Sequence, residues 1–130
     1  MKQEYIYRYA RRCMPRDLWV RVAMALAEVE SGWDENAVSP GGESIGLWQQ
    51  QSEFFAAYSS LPYYMRGTWW AQFGALKAFL AEYSGRRLKE ALQVYHYGHP
   101  VQDDRDGYVQ RVRDAFAALG YDWPGDNAVL

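Results

Sequence analysis

The stretch Pro15-Arg16-Asp17-Leu18-Trp19-Val20-Arg21-Val22-Ala23-Met24-Ala25-Leu26-Ala27-Glu28-Val29-Glu30-Ser31-Gly32 decides the fold. At about 100° per residue, its apolar side chains gather on one face of a helix. Trp19, Val22, Ala23 and Leu26 share a stripe, and Glu30 falls in the middle of it. Glu28 falls on the far side, beside Asp17 and Arg21. Two neighbouring glutamates therefore receive opposite environments from spacing alone. Pro15 suits a first-turn position, Asp17 sits near the positive end of the dipole, and Gly32 is a natural stop. The pattern predicts a helix over 15–31.

A carboxyl on the apolar face loses water, and its pKa rises. In the last turn, the negative end of the helix dipole also favours the protonated acid. The result is a proton donor near neutral pH, which cleavage of a glycosidic bond requires. A second reading is a buried carboxyl tied into a structural hydrogen-bond network, since such networks also perturb pKa values. Glu28 reads as a solvated surface acid.

Helical periodicity continues along the chain. A first helix is expected near Glu4 to Arg12. After the Glu30 helix comes a Gly- and Ser-rich loop, Ala37-Val38-Ser39-Pro40-Gly41-Gly42-Glu43-Ser44-Ile45-Gly46-Leu47-Trp48-Gln49. Ser44 to Gln49 is a candidate for a small ribbon. Ser52 reads as the cap of a helix through Phe55 and Tyr58, broken by Pro62. Further stripes run from Trp69 to Tyr83, from Leu88 to Tyr95 and from Val109 to Leu119. Trp123 is expected to anchor the tail. No sustained alternating run appears. The fold class expected is all-α, a single domain over 1–130 with at most a short β ribbon.

Composition narrows the function. The chain has 130 residues, 49% of them hydrophobic, which fits a globular core. With a net charge of −2 and no basic run longer than an arginine pair, nothing argues for a nucleic-acid partner. Cys13 is the only cysteine, so no intrachain disulfide forms, and it reads as a packed small hydrophobe. No apolar run follows Met1 to suggest a secretory signal, and no stretch is long enough to span a membrane. Six Trp and eleven Tyr are an unusual count. Most are expected in the core; Trp48, inside the loop, is expected to stack on a sugar ring.

Several blocks together resemble the soluble lytic transglycosylase domain, a relative of goose-type lysozyme. They are Glu30-Ser31, Ala37-Val38-Ser39-Pro40, Gly46-Leu47-Trp48-Gln49, Gly74-Ala75-Leu76-Lys77-Ala78-Phe79-Leu80, Ala91-Leu92-Gln93-Val94-Tyr95-His96-Tyr97-Gly98 and Tyr108-Val109-x-x-Val112. They come in the family's order. The loop is one residue longer than the common pattern and brings in Glu43. Trp48 stands where Met is usual, His96 where Asn is usual, and Trp70 where an Asn often opens the middle helix.

The resemblance implies a lysozyme-like fold with a cleft, and peptidoglycan as substrate. It implies that Glu30 is the catalytic acid for the β-1,4 bond between N-acetylmuramic acid and N-acetylglucosamine, with a 1,6-anhydromuramoyl product. Ser39, Gln49, Tyr95, Trp48 and His96 would hold the sugars. No cofactor is implied. Delivery to the wall by a phage particle, a secretion apparatus, host lysis or a larger parent protein would each serve. A hydrolase on the same fold would need a second acid, for which Glu43 or Asp34 are candidates. A non-catalytic glycan-binding or structural domain is the reading from another class. His96 and His99 lack matching ligands elsewhere for a metal site, and Asp103-Asp104-x-Asp106 lacks the calcium-loop spacing.

Overall fold

Helix α1 (Lys2–Cys13) leads into α2 (Asp17–Ser31), the central element of a computed structural model that describes residues 2–99 and 106–130. A loop carries a two-stranded antiparallel ribbon, β1 (Ser44–Ile45) paired with β2 (Gln50–Gln51). Then come α3 (Ser52–Tyr58), a 3-10 turn at Tyr63–Met65, α4 (Trp69–Glu82), α5 (Leu88–Tyr97) and α6 (Tyr108–Ala118). The chain is mostly helical, as its periodicity requires. Asp103 and Asp104 of the acidic run lie outside the described residues.

Helix α2 is more deeply enclosed than a single stripe implies. From Trp19 to Ala27 every residue but Arg21 is buried. The reason is tertiary: α1, α4 and α6 all pack on it. Its start lies two residues later than predicted. Arg16 is extended (φ −129°, ψ 138°), so Pro15 belongs to the bend after α1. Its end is as predicted, with Gly32 left-handed at φ 60°. Ser31 Oγ reaches past this end and donates to the Leu47 carbonyl at 2.7 Å.

Ser52 does not cap α3. It is the first helical residue, the cap position is Gln51, and the Ser52 hydroxyl pairs with the Tyr63 hydroxyl at 3.3 Å. The tail is pinned by Trp123, whose ring meets Phe116 edge-on at 5.0 Å. It is also pinned by Leu130 N, which donates to Arg86 O at 2.9 Å. Among the described residues, no helix is long and apolar enough to cross a membrane.

Candidate active site

The loop after α2 folds back on the helix that precedes it because its polar groups are satisfied from within. Gly46 takes φ 84°, a conformation that a residue with a Cβ adopts only under strain. Its N–H donates to Ala37 O at 2.9 Å. Gln49 Nε2 donates to Ala37 O at 3.0 Å and Gly46 O at 2.9 Å. Ser39 Oγ accepts from Ser44 N at 3.0 Å.

From below, Gln72 of α4 holds the loop. Its Oε1 accepts from Trp48 N at 3.0 Å, and its Nε2 donates to Ile45 O at 2.7 Å and Arg66 O at 2.8 Å. Gln72 has no solvent exposure. The sequence reading missed it. A signal was present: Gln72, Leu76 and Phe79 recur at helical spacing, so a polar side chain stands on a buried face.

Between this loop and α5 lies a cleft of about 530 Å³. Glu30, Ser39, Gln49, Tyr95 and His96 line it. Three of them also brace the site. Ser39 and Gln49 hold the loop, and the Tyr95 hydroxyl donates to Trp48 O at 2.7 Å.

Trp48 corrects an expectation. It is fully buried, and its Nε1 donates to Ala23 O at 2.8 Å. The indole faces α2 under the loop, not the cleft, so it is core and offers no surface to a sugar.

Glu30 sits in the last turn of α2 and accepts a hydrogen bond from the Tyr108 hydroxyl. Burial raises its pKa; the Tyr108 hydrogen bond, His96 and Arg111 pull in the other direction without cancelling it. The Tyr95 and Tyr108 hydroxyls are pushed well above the ordinary phenol value by burial and by the Glu30 charge. Both therefore remain hydrogen-bond donors at any working pH. The Tyr108 ring is stacked on His96, with centroids 3.9 Å apart and planes 5° from parallel.

The candidates for a second acid fare differently. Glu43 is exposed and does not line the cleft. Asp34 is exposed, and its Oδ1 accepts from Asn36 N at 2.9 Å in a local turn. Glu53, which sequence reasoning passed over, does line the cleft. Among the described residues, no group of three or more His, Cys, Asp or Glu side chains could hold a metal ion. His96 Nε2 is bound instead to Asp106 Oδ2 at 2.6 Å.

A mostly helical fold, one short ribbon and a cleft holding a half-buried glutamate define the lysozyme-like class. In comparison with protein families, residues 11–61 are similar to the Transglycosylase SLT domain. The match takes in α2, the whole loop and α3, the segment that carries Glu30 and one wall of the cleft. The blocks around Gly74, Ala91 and Tyr108 lie beyond the matched residues. No curated protein and no solved structure matches the chain.

Proposed function

We propose that the protein cleaves the β-1,4 bond between N-acetylmuramic acid and N-acetylglucosamine, leaving a 1,6-anhydromuramoyl end, with Glu30 as acid and then base. The observation that carries this reading is the Glu30 carboxyl, its pKa raised by burial, at the wall of a glycan-sized cleft. Its proton passes to the glycosidic oxygen. The carboxylate left behind is stabilised by the Tyr108 hydroxyl already donating to it. The same carboxylate then takes the proton of the muramoyl O6 hydroxyl as that oxygen closes on C1. One carboxyl serves both steps because the substrate carries its own nucleophile. Ser39, Gln49, Tyr95 and His96 supply polar and aromatic surface for the sugars, and no cofactor takes part.

Glu53 gives a second reading its foothold. As a base it would activate water opposite Glu30, at about 6.5–9.5 Å in an inverting hydrolase. Digestion of purified peptidoglycan in heavy-oxygen water separates the two. The proposed reaction gives unlabelled ends, muropeptides lighter by one water, and full activity in Glu53→Gln. Labelled reducing ends and an inactive Glu53→Gln would establish the hydrolase. An inert wild-type protein in a zymogram would leave only a glycan-binding or structural domain.

A further inference from the structure

Tyr108, the donor to Glu30, is itself held from outside the cleft. The His96 ring stacks on it. Asp106 Oδ2 meets His96 Nε2 at 2.6 Å and lies 3.8 Å from Arg111 Nη2. Asp106 Oδ1 accepts from the Tyr97 hydroxyl and from Tyr108 N, the latter at 3.1 Å. Arg111 also lies over the Tyr108 ring, 5.5 Å from its centroid. One carboxylate thus joins the C-terminal turn of α5 to the first turn of α6.

An unrestrained aromatic pair prefers an offset or edge-on arrangement. A nearly parallel ring at this distance is held in place by its anchor, which here is the Asp106–His96 hydrogen bond. The anchor keeps its charge, because hydrogen bonds from Tyr97 and His96 lower the Asp106 pKa to about 2. The family's pattern has Asn where this chain has His96, and an amide has no ring to lay on Tyr108.

We propose that His96 and Asp106 form a latch that positions the Tyr108 hydroxyl on Glu30. Its effect on turnover rests on the reading of Glu30 as the acid; its effect on the Glu30 carboxyl does not. The groups facing that carboxyl are Tyr108 and Arg111 from α6 and His96 and Tyr95 from α5. Among the described residues, Tyr108 is the one that donates to it directly. A donor to the charged form lowers a carboxyl pKa, so opening the latch raises that of Glu30. Asp106 is a positioning residue, acting through His96 and Tyr108, whereas His96 also faces the Glu30 carboxyl and the cleft itself.

The test is carbon-13 titration of the Glu30 carboxyl by nuclear magnetic resonance in the wild type, Tyr108→Phe, Asp106→Asn, His96→Asn and the double variant Asp106→Asn/Tyr108→Phe. Tyr108→Phe is expected to move the titration upward by about half a unit or more. Asp106→Asn and His96→Asn should each give most of that shift, and the double variant no more than Tyr108→Phe alone. Both latch residues are at the surface, so these variants are expected to fold. On soluble glycan strands, Asp106→Asn should lower kcat about tenfold with KM within about twofold, and move the alkaline limb of the kcat profile to higher pH. An unmoved Glu30 titration in Asp106→Asn and His96→Asn overturns the latch, whatever the activity. Coupled titrations in a wild-type protein that cleaves nothing uphold the latch and remove the enzymatic reading instead.

Discussion

The Ser31 hydroxyl donates to the Leu47 carbonyl oxygen at 2.7 Å, and so fastens the loop to the residue next to Glu30. The acid and the wall of its cleft are thereby fixed to each other. The bond also gives a physical reason for a serine directly after the glutamate: its side chain reaches beyond the helix end, where the loop must return.

Glu30→Gln is expected to abolish wall cleavage while keeping the fold. The folded-state pKa of Glu30 is raised by burial, so its favourable state is the protonated one. Stability from this site is complete below the ordinary carboxyl pKa and is lost as pH rises through the raised value. Gln stays neutral, so the melting temperature of the variant at pH 7 should equal or exceed that of the wild type. Glu28→Gln is the control. Arg21 pairs with Asp17, and Glu28 does not line the cleft, so the change should stay within about 0.5 kcal/mol and keep activity. A comparable loss of activity in both variants would reverse the assignment of the acid.

Trp48→Ala should destabilise the protein by about 3–5 kcal/mol, because it empties a fully buried site beneath the loop. Trp48→Phe keeps much of the ring and loses the Nε1 bond to Ala23, at about 1–2 kcal/mol. Denaturant unfolding measures both. Weak glycan binding in a Trp48→Ala protein of wild-type stability would restore the sugar-platform reading.

Gln72→Leu preserves approximate volume and removes three hydrogen bonds at once, to Trp48 N, Ile45 O and Arg66 O. The expected cost is about 2–4 kcal/mol, since buried backbone groups lose their partners. Hydrogen exchange should quicken first in the segment from Ile45 to Trp48. Uniform protection there would show that the loop does not depend on α4.

Gly46→Ala should be damaging for two independent reasons. Its φ of 84° is strained for any residue with a Cβ, and that Cβ would lie 2.2 Å from Gln72 Nε2. A melting-temperature drop and lost cleavage are expected together. Gly74→Ala, on exposed helix with open space around it, should be neutral or mildly stabilising.

The Gly46 and Gln72 pair marks how far the sequence could be read. Helix number and order followed from apolar periodicity, because the spacing of Trp19, Val22, Ala23 and Leu26 or of Leu88, Ala91 and Leu92 is a local property of the chain. So was the position of Glu30 on the buried face, and the stop at Gly32. Even there, α2 proved buried nearly all round, since a periodic pattern tells which face is apolar but not how many neighbours arrive.

The sequence by itself determined the helical fold and the carboxyl set into its apolar face, for both depend on residues within a few turns of one another. Only the tertiary structure decided what meets that carboxyl. Tyr108 comes to Glu30 from 78 positions away, and Trp48 turns to Ala23 across 25. Whether an aromatic ring faces core or cleft depends on which backbone carbonyl lies within reach of its polar atom. That depends on packing between distant segments, which no local spacing encodes.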